Sequence, residues 1–229
     1  MATPRLRVGV WGDWFLAEEL AHVGHDVCEI DEGADARAFD MIVLDIPARL
    51  FYELPHVIPE VRRGQLVLHT ALEYGVQALD DWEVQGAIVM AAHRIWKDYW
   101  VASAADEVGE SVVSLLISEI GGRVTLIDDD QRPALLAAQR LRGMSHEVRR
   151  DASDLLIATL PGIQTDIEDF LQLHDEPGLG RKDIDTLELM HSAIDDPNAA
   201  TLFAALERRY AARTGYTEGE LWAMGKRPL

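Results

Sequence analysis

Residues Leu6–Ala17 read LRVGVWGDWFLA and join an apolar, β-branched run to a glycine and then to an amphipathic segment. This order predicts a buried strand, a tight turn at Gly12 and a helix with Leu16, Leu20 and Val23 on one face. A strand that turns through a glycine directly into a helix opens the mononucleotide-binding unit of doubly wound α/β domains. The stretch therefore predicts a Rossmann-like fold.

The turn departs from the G-x-G-x-x-G pattern of dinucleotide-binding domains. Its three glycine positions are occupied by Gly12, Trp14 and Ala17, of which only the tryptophan is an unusual replacement. An indole at Trp14 fills the space through which the backbone approaches a pyrophosphate, and Asp13 places a carboxylate beside the free N–H groups of the helix. We therefore expect weak pyrophosphate binding in the standard position. The alternative is a reshaped loop in which Trp11 and Trp14 form an aromatic wall for a ring-bearing ligand.

The composition excludes several classes of function. The chain has 229 residues, of which 48% are hydrophobic and 27% charged, and its formal charge is −19. A negative surface repels phosphate backbones, so nucleic acid is not an expected partner. No apolar run approaches the length of a membrane span. The single cysteine, Cys28, rules out an intramolecular disulfide and a cysteine-built zinc site. We expect a cytoplasmic protein with no metal, no membrane partner and a small-molecule substrate.

The pattern of predicted elements changes near residue 130. Before it, strands are predicted at 6–11, 27–30, 40–46, 65–69, 86–91, 100–103 and 123–127, with helices after the first strand and at 49–63, 73–80 and 106–120. After it, only helical periods occur, at 134–160, 163–173, 184–194, 199–213 and in a final short helix. The predicted class is α/β, with a doubly wound parallel Rossmann-like sheet in residues 1–130 and a smaller all-helical domain in residues 131–229. The modest apolar content of the helical half favours a homodimer.

Asp31 is the second candidate for cofactor binding. It ends the second predicted strand, nineteen positions after Gly12. An NAD-binding unit places an acidic residue there for the ribose hydroxyls of adenosine. Carboxylates at Asp31 and Glu32 would repel a 2′-phosphate, which favours NAD over NADP. The alternative is a solvated carboxylate at a strand end, one of 40 acidic residues in the chain.

Five short motifs carry a family resemblance. They are V-G-V-W-G at 8–12, A-x-x-G-H-D-V at 21–27, D-I-P at 45–47, V-L-H-T at 67–70 and A-A-H-R-I at 91–95. Together they resemble the 6-phosphogluconate-dehydrogenase-like group of NAD(P)-dependent Rossmann proteins, which includes prephenate dehydrogenases. The resemblance covers roughly the first 130 residues well and the helical half only by its order after the sheet. It implies NAD or NADP as cofactor, with Pro47 beside it and Thr70 close to the nicotinamide.

The same resemblance implies a catalytic role for His93. In that group a histidine motif follows the fifth strand, and a hydride-transfer enzyme needs a group that exchanges a hydroxyl proton near neutral pH. Arg94 could bind a substrate carboxylate beside it. Arg94 stands where the group usually has proline, and no lysine occurs in residues 132–160, where several members use one. A structural role for His93 stays open, and His69 is expected to be structural.

These features predict an NAD(P)-dependent oxidoreductase that acts on a small hydroxy or keto acid. Two alternatives remain open. The first is a non-catalytic Rossmann-like domain with a degraded cofactor loop, which Trp14 and the missing lysine favour. The second is a binder of a nucleoside-type ligand such as S-adenosylmethionine, which has no pyrophosphate and tolerates Trp14 better.

Overall fold

The computed structural model describes residues 5–13, 15–30, 35–160 and 180–226. Predictions for Trp14, Asp31 and Glu32 and for the helix at 163–173 lie outside the described residues. The chain divides after Arg132 into two compact units, here called unit 1 and unit 2. In the described ranges no helix is both long and apolar enough to cross a membrane.

Unit 1 is built on a seven-stranded sheet. Its strands are β1 (Arg7–Gly12), β2 (Asp26–Glu29), β3 (Met41–Asp45), β4 (Leu66–His69), β5 (Ile88–Trp96), β6 (Tyr99–Ala104) and β7 (Arg123–Leu126). The spatial order is β2-β1-β3-β4-β5-β6-β7, and every neighbouring pair is parallel except β5 and β6. The chain leaves β1 toward β2 on one side and returns to β3 on the other. The crevice between the carboxyl ends of β1 and β3 is therefore the topological switch point, where sheets of this kind bind ligands.

Helical segments cover both faces of the sheet. They are α1 (Phe15–His22), α2 (Leu54–Val57), α3 (Asp80–Val84) and α4 (Glu107–Glu119), with 3-10 turns at Ala36–Ala38, Ala48–Glu53, Val76–Leu79 and Asp129–Gln131. Leu16 and Ile117 bring α1 and α4 onto one face, against alternate strand residues such as Met90. Leu54 and Trp82 bring α2 and α3 onto the other. The predicted doubly wound α/β sheet is confirmed.

Two predicted helices take a different form. The helix expected at 49–63 is a 3-10 turn followed by the single turn of α2, and its last backbone hydrogen bond runs from Ile58 N–H to the Leu54 carbonyl. Pro59 has no N–H with which to continue that ladder, so the helix ends there. The helix expected at 73–80 begins later, at Val76, because Gly75 is extended, and continues into α3.

Strand β5 is longer than predicted. The prediction ended it at residue 91, whereas it continues to Trp96 and turns into β6 through Lys97, whose φ is 49°. Antiparallel pairing with β6 supplies backbone partners beyond the point where β4 ends, opposite Ala91. His93 and Arg94 consequently lie within a strand rather than after one. Both still extend past the carboxyl end of β4.

The described residues of unit 2 form helices joined by short connections, with no strand among them. Its helices are α5 (Arg132–Thr159, which begins at the last residue of unit 1), α6 (Ile184–Ser192), α7 (Pro197–Thr214) and α8 (Thr217–Gly225). Asp183 and Asp196 cap α6 and α7 by accepting backbone N–H groups at 2.8 and 2.9 Å. A buried bidentate ion pair between Arg140 and Glu207 joins α5 to α7, and Arg140 also donates to the Gly180 carbonyl at 2.6 Å. The predicted helical C-terminal region is confirmed.

The carboxyl ends of β1 and β3 approach closely at Gly12. The φ angle of Gly12 is +115°, a conformation that side chains disfavour, and a Cβ placed there would overlap the carbonyl oxygen of Asp45. One residue later, the N–H of Asp13 donates to that same carbonyl at 2.7 Å. A glycine is therefore required at this position by both backbone conformation and contact.

A Gly12→Ala variant should lose more than about 3 kcal/mol of unfolding free energy, because the new Cβ forces β1 and β3 apart. Gly64→Ala is the matched control, since Gly64 also has positive φ (74°) but has nothing within 4 Å of its would-be Cβ. It should lose only about 1–2 kcal/mol. Urea unfolding of both variants measures the difference, and equal losses would contradict the close approach.

Candidate active site at the carboxyl edge of the sheet

The carboxylate of Asp45 lies at the switch point, at the end of β3. It accepts the hydroxyl of Thr70 at 2.5 Å. The backbone carbonyl of the same residue accepts the N–H of Asp13 at 2.7 Å. Burial raises the pKa of Asp45 and the nearby Asp13 carboxylate adds to this, while the hydrogen bond from Thr70 and the charge of His93 oppose it; the net shift is upward. The sequence pointed to Asp13 as the carboxylate beside the free N–H groups of α1, and Asp45 brings a second carboxylate to the same turn.

His93 is oriented by the residue that follows β4. Its Nδ1 lies 2.7 Å from the carbonyl oxygen of Thr70, and a carbonyl can only accept, so Nδ1 carries the proton. In the neutral ring Nε2 is then the basic nitrogen. The ring is half-buried. Asp45, Thr70 and His93 thus form one polar chain across the ends of β3, β4 and β5.

Arg94 lies on the opposite face of the sheet from His93, because neighbouring residues of a strand alternate. Its guanidinium donates to Glu19 of α1 at 3.2 Å and to the Lys97 carbonyl, and stands 4.6 Å from the ring centre of Phe15. Its charge is therefore balanced by Glu19. The structure does not bring His93 and Arg94 into one cluster, although the sequence places them side by side.

The other described candidates lie near this edge. Pro47 is exposed and precedes the 3-10 turn at 48–53, so it ends β3 just beyond Asp45. Gly12 and Asp13 form the exposed turn between β1 and α1. Thr70 makes two hydrogen bonds: its hydroxyl donates to Asp45, and its carbonyl accepts from His93. Sequence reasoning missed the part played by Asp45, although the D-I-P motif contains it; the signal was an acidic residue ending a buried strand next to the glycine turn.

His69 is fully buried and has a structural role. Its Nε2 donates to the Gly75 carbonyl at 3.0 Å, and the Phe51 ring stands edge-on to it at 5.2 Å. Its Nδ1 is the one fully buried side-chain nitrogen or oxygen without a hydrogen-bond partner among the described residues. Burial lowers the pKa of His69 from 6.5 to about 4, so the ring is neutral at pH 7. It holds the loop after β4 in place.

The described residues fit a nicotinamide dinucleotide only in part. The glycine turn and the switch-point crevice are where such a cofactor lies in this fold. The phosphate of a bound dinucleotide uses N–H groups at the N-terminus of the first helix. Here the carboxylates of Asp13 and Asp45 come together at the turn between β1 and α1. Their negative charges oppose the binding of an ionised diphosphate at this position.

A family model matches part of this sequence, and several solved structures have a similar fold. Residues 128–226 match the family model described as 6-phosphogluconate dehydrogenase C-terminal domain-like. The fold is similar to that of a proposed NADP oxidoreductase from Bacteroides fragilis, with a TM-score of 0.57 and 15% identity over 97% of each chain. It is also similar to 3-hydroxyisobutyrate dehydrogenase from Salmonella typhimurium, with a TM-score of 0.58 and 13% identity over 90% of this chain and 87% of that one.

A third similar structure is 2-dehydropantoate 2-reductase from Geobacter metallireducens, with a TM-score of 0.51 and 12% identity over 88% of this chain and 98% of that one. Among curated proteins, none matches this sequence. The predicted resemblance is confirmed: the chain combines the Rossmann fold of NAD(P)-dependent oxidoreductases with a helical region like the C-terminal domain of 6-phosphogluconate dehydrogenase.

The depressed pKa of His69 makes stability depend on pH. The unfolded chain binds a proton at this residue below pH 6.5, and the folded chain does so only near pH 4. The stabilisation is present above pH 6.5 and is lost as pH falls toward 4, by about 3 kcal/mol in total. Urea unfolding across this range should show a shallower pH dependence in a His69→Gln variant. An unchanged slope would contradict the neutral buried imidazole.

Proposed function

We propose that the protein is an NAD(P)-dependent oxidoreductase acting on a small hydroxy or keto acid, with His93 as its acid–base group. The observation that carries this proposal is the 2.7 Å hydrogen bond from His93 Nδ1 to the Thr70 carbonyl, which leaves Nε2 as the basic nitrogen at the sheet edge. When bound, the nicotinamide supplies or accepts the hydride. The residues of the chain then have to hold the substrate and transfer one proton.

The proton moves between the substrate oxygen and His93. In the oxidation direction Nε2 accepts the hydroxyl proton, and in the reduction direction the imidazolium returns it to the carbonyl oxygen. The Thr70 carbonyl accepts from Nδ1–H in both states, so the ring keeps its orientation. The negative charge of Asp45 favours the imidazolium that forms.

Arg94, which the sequence predicts as the anchor for the substrate carboxylate, is left out of this proposal. Its guanidinium lies on the opposite face of the sheet from His93 and is paired with Glu19 at 3.2 Å, so one small acid cannot contact both residues. Gly12, Asp13, Pro47 and Thr70 are proposed to line the cofactor crevice. Trp14 and Asp31 belong to the same proposal on sequence grounds, and Asp31 supports NAD over NADP.

A second candidate function is a non-catalytic ligand-binding domain. The observation that favours it is the pair of carboxylates, Asp13 and Asp45, at the turn between β1 and α1, because their negative charges oppose a diphosphate there. A nucleoside-type ligand without a diphosphate would avoid that conflict. The single half-buried thiol, Cys28, supports a cytoplasmic location for either function.

We also propose that the protein is a homodimer joined through unit 2. Large apolar side chains lie exposed on its last three helices, and they are Leu189, Leu202, Leu221 and Met224. A second copy of the chain packed on these helices would bury these side chains. Sedimentation equilibrium should give twice the mass of one chain, and a Leu202→Asp variant should shift it toward one. A wild-type protein that stays monomeric at high concentration would contradict this part.

A His93→Gln variant should lose turnover by about 10²–10⁴-fold, because glutamine cannot exchange the substrate proton. The assay follows NAD(P)H absorbance over a panel of 2- and 3-hydroxy acids. NADH binding, read from quenching of the six tryptophans, should stay unchanged. His56→Gln is the matched control, since His56 is an exposed histidine of unit 1, and it should keep full turnover.

Two results would contradict the assignment. Undiminished turnover in the His93→Gln variant would remove His93 from the chemistry. Saturable NADH binding without turnover of any acid in the panel would favour the non-catalytic candidate instead.

A further inference from the structure

A cavity of about 410 Å³ opens in unit 2 between the last two helices, α7 and α8. Its uncharged lining consists of Thr201 and four alanines, whose short side chains leave the space between the helices open. Ala204 and Ala223 are buried at its base, and Ala205 and Ala212 are exposed. A space of this size accommodates a small molecule, and the alanines offer contacts to an apolar part of it.

The charged residues of this cavity reverse the balance of the whole chain. Three cations line it, Arg208, Arg209 and Lys226, against one carboxylate, Glu220. The whole chain has 21 basic residues and 40 acidic ones. The cavity is therefore a positively charged recess in a strongly negative protein, and such a recess attracts anions.

Two of these cations are placed to donate to a ligand. Arg208 is half-buried, and within the described ranges of the chain it makes no ion pair or hydrogen bond. Lys226, directly after α8, donates to Glu188 at 2.6 Å. An ammonium group has three donors, so this ion pair leaves Lys226 able to bond to a second acceptor. Both groups can thus contact one oxyanion in the cavity.

We propose that this cavity binds a small organic anion, with its carboxylate or phosphate group on Arg208 and Lys226 and its apolar body against the alanines. A guanidinium presents its N–H donors in a planar fork that matches both kinds of oxyanion. The site lies within unit 2 of one chain and goes beyond the proposed oxidoreductase activity. The exposed side chains proposed for the dimer do not line it.

Titration with hexanoate and with hexyl phosphate tests this proposal and distinguishes the two oxyanions. Saturation-transfer NMR on the full chain gives each Kd, and hexanol and hexylamine supply uncharged and cationic ligands with the same body. At least one anion should bind saturably, with a Kd at least about tenfold lower than that of hexanol or hexylamine, because only an oxyanion accepts charge-assisted hydrogen bonds from the two cations.

Two variants locate the binding site. Arg208→Gln should weaken anion binding by about tenfold or more and leave hexanol binding unchanged. Ala205→Leu tests the apolar part: this residue is exposed, so the helix tolerates leucine, and the larger side chain should weaken binding of the anion by filling the cavity. Arg213→Gln is the matched control, since Arg213 is an exposed arginine of α7 outside the cavity lining, and it should bind as wild type.

The outcomes are independent of the proposed function, because no assay contains NAD(H) or measures turnover. Absence of saturable binding of either anion at millimolar concentration would overturn the site, as would equal binding of hexylamine. An Arg208→Gln variant that binds the anion as tightly as wild type would also overturn it. If that variant fails to fold, the comparison of the four ligands on the wild-type chain still decides the question.

Discussion

The close approach of β1 and β3 at their carboxyl ends is the constraint on which the rest of unit 1 depends. Gly12 permits this approach because it has no side chain, and the hydrogen bond from the Asp13 N–H to the Asp45 carbonyl holds the two strand ends together. The approach puts the turn that precedes α1 beside the end of β3, so that Asp13 and the Asp45 carboxylate are neighbours. The contact that forms the switch-point crevice thus also brings two carboxylates to its edge.

A second relation links this crevice to the proposed chemistry. Thr70 bonds to Asp45 through its hydroxyl and to His93 through its carbonyl, so one residue connects the two groups. A change in the charge of Asp45 therefore acts on the neighbourhood of His93. Because side chains alternate along β5, Arg94 lies on the other face of the sheet, where it contacts Glu19 and Phe15 of α1 and not the crevice.

The fold was largely predictable because its signals are local. The strand, glycine turn and helix at residues 6–23 follow from apolar spacing, and so does the helical character of unit 2. The extension of β5 to Trp96 could not be predicted from local sequence, because it depends on pairing with β6. The polar chain of Asp45, Thr70 and His93 was missed for the same reason, because these residues are distant in sequence and only the order of the strands brings them together. Trp14 and Asp31 stay predictions.

His69 has a consequence for its neighbour on the same face of the sheet. Burial keeps the His69 imidazole neutral at pH 7, although this ring lies on the same face as that of His93. The positive charge that forms on His93 in the proposed reaction therefore meets no second cation from this neighbour. The two rings are asymmetric by construction, since the protein interior fixes the charge of one and the edge of the sheet carries the other.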